Sequence, residues 1–335
     1  MASPHTEANA KAALDFFLKL SKDEHCESIM FSPVNLAVAL KVLLSGARGH
    51  TADELQKEAP DYKCEMPEGS HKEFHKILAQ LDKPSRNYEL SFANQLYGDK
   101  SIAFVQQFLF CALKQYLTEV DSVDFHKAPE EARKLINLWV EVRTHGKIQD
   151  LLPEFNDEIT CLIDLLLVNA LYFKGQWEVQ FDKELTKESS FYLNELEEEL
   201  TYEKLLEWTS ETCLKVEEVD VAIPKTRLEK SIPALKFLEA LGLNNASNPE
   251  KADLSGITTT EMVAVSEIVH GVALEMDEDG GGEAPHCPRN RHPVSRADVQ
   301  FVADHPFLFF ILHKFTNSIL FFGRLAEPEE NTACH

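Results

Sequence analysis

From Leu165 to Phe173 the chain is apolar at every position except Asn169. The run is of strand length and lacks helical alternation, so it reads as a strand buried on both faces. A buried amide must find hydrogen-bond partners, so Asn169 reads first as a satisfied core side chain. With 335 residues and a hydrophobic content of 44%, the chain can fill a sizeable core, in one large domain or two.

The first third reads as mostly helical. Ala10, Ala13, Leu14, Phe17 and Leu18 share a face at helical spacing. Phe31-Ser32-Pro33 breaks that pattern, and a second helix runs from Val34 to Leu44, stopped by Gly46-Ala47-Arg48-Gly49. Thr51-Ala52-Asp53-Glu54 reads as a capping box with Thr51 as N-cap. Residues 69–82, 104–118 and 136–143 also suit helices. Further along, Glu195 to Glu207 is an acidic helical stretch that buries Leu200, Tyr202, Leu205 and Leu206. Val219, Val221 and Ile223 alternate as a strand, residues 235–243 form a short helix, and Met262 to Met276 is strand-like. Phe307 to Leu312 and Ile319 to Phe322 close the chain as a hairpin. Between Asp277 and Gln300 there is almost no apolar residue, and prolines stand at 285, 288 and 293. A tract of this length inside a compact domain is functional or disordered.

The formal net charge of −23 argues against nucleic acid as a partner, because phosphate binding needs a basic surface. It equally disfavours an anionic membrane surface. No apolar run is long enough to span a bilayer, and the amino end lacks the basic start of a signal peptide. The seven cysteines, at 26, 64, 111, 161, 213, 287 and 334, are irregularly spaced without a CxxC, which reads as reduced thiols in a cytosolic protein. His71 and His75 sit four apart, but the intervening residues do not write HExxH. There is no GxSxG, and Gly280 to Gly282 is flanked by acids that repel phosphate. The sequence specifies no enzyme, no cofactor and no metal.

Several stretches resemble one family from end to end: Phe31-Ser32-Pro33, Leu96-Tyr97-Gly98-Asp99-Lys100, Thr144-His145-Gly146-Lys147-Ile148 and Ala303-Asp304-His305-Pro306-Phe307. The most specific is Asn169-Ala170-Leu171-Tyr172-Phe173-Lys174-Gly175-Gln176-Trp177. The chain resembles a serpin of the ovalbumin-type intracellular branch. That resemblance implies a single mixed α+β domain over 1–335, with a helical amino-terminal region, three β-sheets and an exposed reactive loop at about 278–300. It implies a cytoplasmic protein, reaching the outside only by release without a signal peptide, monomeric when folded, and binding protein partners. In inhibitory members a serine protease cleaves the loop, which then inserts as a new strand into the main sheet and traps the enzyme.

Carried over residue by residue, Leu165 to Phe173 matches the third strand of the main sheet and Val265 to Met276 the fifth. Ser32, Asn169 and His270 match the polar cluster beneath the opening between them. Trp177 matches the tryptophan at its top. Glu278 matches the acidic residue at the loop's hinge, and Lys225 its salt-bridge partner. The reactive bond region falls at about Pro293, Val294 and Ser295.

Two departures from the family are visible. The hinge Glu278, Gly280, Gly281, Glu283, Pro285 resembles maspin, a non-inhibitory member, more than the small, uncharged hinge of inhibitors. Counting by twos, insertion would turn Gly281, Glu283, Pro285 and Cys287 inward, burying a carboxylate and placing proline in a central strand. The second departure is an internal deletion near 195. The family's strands of the second and third sheets are missing there, which leaves the final hairpin expected to expose an apolar edge.

Overall fold

The structure is a computed structural model and describes residues 4–23, 27–58, 70–153, 163–192, 201–209, 213, 217–278 and 299–328. Among them lie eight α-helices: α1 (Pro4–Asp23), α2 (Pro33–Gly46), α3 (Gly49–Glu58), α4 (Ser70–Leu81), α5 (Gln106–Tyr116), α6 (Pro129–Arg143), α7 (Tyr202–Thr209) and α8 (Ala234–Ala240). The strands are β1 (Ile29–Phe31), β2 (Tyr88–Asp99), β3 (Glu119–Val123), β4 (Leu165–Gly175), β5 (Val219–Ala222), β6 (Thr226–Pro233), β7 (Val265–Met276), β8 (Val299–Val302), β9 (Phe307–His313) and β10 (Ser318–Leu325). They form a five-stranded sheet ordered β3-β2-β4-β7-β6, a three-stranded sheet β1-β10-β9 and a β5-β8 ribbon.

The apolar run forms the centre of the large sheet, as its composition requires. β4 pairs antiparallel with β2 and parallel with β7, and Leu165 to Tyr172 are all buried. Its alternate residues face two cores. Leu165 and Leu167 join a cluster with α2, and Leu171 packs with Leu320 and Phe321 of β10. Leu166, Val168, Ala170 and Tyr172 pack on the other side with Ile136 and Val140 of α6. Helix α2 lies in the first of these layers. It is apolar around most of its circumference, and nearly every residue is buried. The chain enters it with Ser32 as N-cap, whose hydroxyl accepts from the Asn35 N–H, and with Pro33 in the first turn, where a missing N–H costs nothing. In the small sheet β10 runs so close to β1 that a Cβ at Gly323 would collide with the Ile29 carbonyl.

Three local expectations change. The Thr51 capping box does not cap: α3 begins at Gly49, the Thr51 hydroxyl accepts from the Asp253 N–H at 2.9 Å, and Glu54 receives the N–H groups of Asn244 and Asn245. The tertiary partners outcompete the local motif. The helical first third is interrupted by the twelve-residue β2. The thiols are not uniformly reduced either. Cys111 is disulfide-bonded, whereas Cys213 is free and exposed.

Among the described residues β9 pairs with β10 alone. Its first six residues, Phe307 to Leu312, carry neither charge nor proline, the devices that usually protect an edge. All six remain half-buried. In the β5-β8 ribbon, Val219, Val221, Val299 and Phe301 sit in register and are exposed. A two-stranded ribbon alone is only marginally stable. We therefore predict that the 335-residue chain self-associates on size-exclusion chromatography, and that restoring a family-length segment after Asn194 yields a soluble monomer. A monomeric elution with one cooperative thermal transition for the unaltered chain would contradict this.

Candidate functional site

The site is the line where β4 meets β7, together with the polypeptide that leaves the top of β7. The two strands run parallel, in register from Leu166 with Glu267 to Lys174 with Glu275. A strand that left β7 at Met276 and turned back would run antiparallel to both and would have to separate them.

Beneath the middle of this line lies a buried polar chain. Asn94, Asn169 and His270 are register neighbours across β2, β4 and β7. The Ser32 N–H donates to His270 Nε2 at 2.9 Å, which puts the ring proton on Nδ1. That N–H then donates to Asn169 Oδ1 at 2.7 Å. The Asn169 amide donates to the Asn35 carbonyl at 2.9 Å and to Asn94 Oδ1 at 2.6 Å. Ser32, Asn169 and His270 are all essentially inaccessible to solvent. Burial pushes the His270 imidazole down to about 3, so it is neutral in the folded protein. Four elements are thereby tied through one side chain on β4, and parting β4 from β7 breaks the Asn169–His270 bond.

At the top of the line the chain is held by charge. Lys174 Nζ lies 2.6 Å from Asp277 Oδ2 and 3.2 Å from Glu275 Oε2. Burial alone would lower the Lys174 ammonium, but the two carboxylates outweigh it and hold it above the ordinary value. Glu275 also receives Lys147 at 3.2 Å and Arg227 at 3.1 Å. Trp177 Nε1 donates to the Asp277 carbonyl at 2.7 Å and its ring meets Phe181 edge-on at 5.4 Å. Glu278 is buried beside Lys225, at 2.9 Å, and accepts from the Thr186 hydroxyl at 2.9 Å. The Lys225 ammonium holds the Glu278 carboxyl below its usual range. Its carbonyl accepts from the Phe181 N–H. The strand exit is thus fixed up to Glu278, the last described residue before 279.

Of the positions singled out from sequence, Ser32, Asn169 and His270 come together in the first cluster, and Trp177, Lys225 and Glu278 in the second. Gly280, Gly281, Glu283, Pro285, Pro293, Val294 and Ser295 lie outside the described residues. Sequence reasoning missed Asn35 and Asn94, which complete the Asn169 network, and the Lys147–Glu275–Arg227 cluster. Asn94 carried the same signal as Asn169, an amide within a strand, but the polar residues around it hid the strand.

The family profile described as Serpin (serine protease inhibitor) matches residues 7–195 and 193–328. This chain belongs to the serpin family. Human serpin B3 is 34% identical over 391 aligned positions that cover 96% of this chain and 99% of the relative. Human leukocyte elastase inhibitor is 34% identical over 386, with the same coverage. Both alignments are longer than the chain itself, so the relatives carry positions this serpin lacks, and the two matched segments meet at 193–195. Among solved structures, uncleaved ovalbumin superposes with a TM-score of 0.85 at 27% identity, covering 97% of this serpin and all of ovalbumin. Maspin superposes with a TM-score of 0.82 at 28% identity, covering 96% and 98%. The mixed fold and the ovalbumin-type relationship read from the sequence are those of the structure.

Proposed function

We propose that this serpin is non-inhibitory and acts in the cytoplasm, as a single domain, by binding protein partners through its surface and its reactive loop. The observation that carries the reading is the closed β4–β7 pair with a buried core on each face. A strand entering there is covered on both sides, so side chains of either parity meet apolar packing. In the loop Glu283 would bring an unpaired carboxylate into that packing, which costs several kcal/mol. Pro285 and Pro288 would each remove a ladder donor from a central strand. Gly280, Gly281 and Gly282 each add about 0.5–1 kcal/mol of ordering entropy relative to alanine. Shifting the register by one residue exchanges the faces without removing a proline from the strand.

The second reading is a serine-type endopeptidase inhibitor working by loop insertion, with its reactive bond near Pro293, Val294 and Ser295. It is supported by the relative named leukocyte elastase inhibitor. The two readings separate on a denaturing gel after incubation with trypsin-like and chymotrypsin-like proteases. We predict cleavage of the loop and no band at the summed mass. A denaturant-stable band with any serine protease would establish the second reading.

A further inference from the structure

At the end of the β4–β7 line opposite Glu278, a groove of about 770 Å³ opens on the α6 side of the main sheet. Its floor spans both strands, with Leu166 of β4 beside Glu267 and Val269 of β7. Leu151, Leu152 and Ile163 form an apolar wall. The volume is that of a site for a small organic molecule, and the lining has the usual mixture of apolar surface with a few polar groups. The charge is one-sided. Asp150, Asp164, Glu239 and Glu267 all line the groove, and no lysine, arginine or histidine does so among the described residues.

Glu267 is the carboxylate best placed to read a ligand. It stands on the floor, at the paired strands. Its Oε1 accepts the N–H groups of Ile268 at 2.8 Å and Leu235 at 3.3 Å, which fixes the side chain. Burial pushes its carboxyl, and that of Asp164, above the ordinary range, so a cation at the groove would relieve both. In sequence, 154–162 carries Glu154, Asp157 and Glu158 and no lysine, arginine or histidine.

We propose that this groove binds an organic monocation, a protonated amine carried on an apolar body, with the ammonium beside Glu267 and the apolar body against Leu151, Leu152 and Ile163. Because the floor spans the β4–β7 pair, the ligand also bridges the two strands and stabilises the closed sheet by mass action. The proposal is independent of whether the serpin inhibits a protease.

The test is calorimetric titration and thermal shift of the full chain with 4-phenylbutylamine, its neutral counterpart 4-phenylbutanol, and n-butylamine as a measure of unspecific cation binding to a protein of net charge −23. The expected result is saturable binding of phenylbutylamine with a raised melting temperature, at least about tenfold tighter than the alcohol and than butylamine. Glu267→Gln preserves shape and removes the charge, and it should bring the amine and alcohol affinities together. Ser231→Trp, at an exposed groove position on β6, should abolish binding of both. Equal affinity of amine and alcohol in the native chain, no binding of either, an unchanged preference in Glu267→Gln, or retained binding in Ser231→Trp would each overturn the proposal.

Discussion

Replacing His270 by alanine is expected to lower stability by about 2–5 kcal/mol at neutral pH and to remove part of the protein's acid sensitivity. The first effect follows from the two groups left behind. The Ser32 N–H and Asn169 Oδ1 both lose their partner in a site without solvent, and each buried orphan costs about 1–3 kcal/mol. The second follows from linkage. The folded protein keeps His270 neutral down to about pH 3, whereas the unfolded chain takes up a proton near the ordinary histidine value of 6.5. Between those values the unfolded state binds more protons, so stability is fully present above about pH 6.5 and is lost as pH falls toward about 3. The loss over that whole range is on the order of 5 kcal/mol. Glu275 and Glu278, held below the usual carboxylate range, add a loss of the same sign at lower pH, below about 4.3. Denaturant midpoints for the native chain and the variant, measured from pH 7 to pH 4, separate the contributions. The difference between the two proteins should shrink steadily on acidification. A difference independent of pH would mean that His270 is protonated in the folded state and that the network is wired differently.

The parts of this architecture that could be read from sequence are those whose burial is unmixed. β4 and β9 are continuous apolar runs, and α2 is apolar with a proline and a serine at its start, so each announces itself within a dozen residues. β2 does not. Ser91, Asn94 and Gln95 are buried polar residues within it, and the alternation that marks a strand is lost. The start of α6 is likewise hidden, because Glu130, Glu131, Arg133 and Lys134 dominate it and the small Ala132 is the only buried residue before Ile136. The site was legible only through family resemblance. Lys225 and Glu278 are far apart in sequence, as are Ser32 and His270, and no local pattern encodes a contact of that range. The resemblance located these residues, but Asn94, which shares the Asn169 amide, and Lys147, which shares Glu275, were found from strand register and side-chain distance.

The proposed non-inhibitory function requires that the closed five-stranded sheet does not accept the loop. Nicking the chain between Pro288 and Arg296, at Arg289 or Arg291, frees the loop to enter if it is able. In inhibitory serpins, entry releases strain and the cleaved form melts far higher. Here entry would have to bury Glu283 and seat Pro285 in a central strand between β4 and β7, while breaking the bond from His270 to Asn169. The measurement is the melting temperature of the intact and the nicked protein under one buffer condition, with the nick confirmed by mass. An unchanged melting temperature, within about 3 °C, is the predicted result. A rise of more than about 10 °C after nicking would correspond to several kcal/mol gained on strand entry, and would show that the loop inserts despite its hinge.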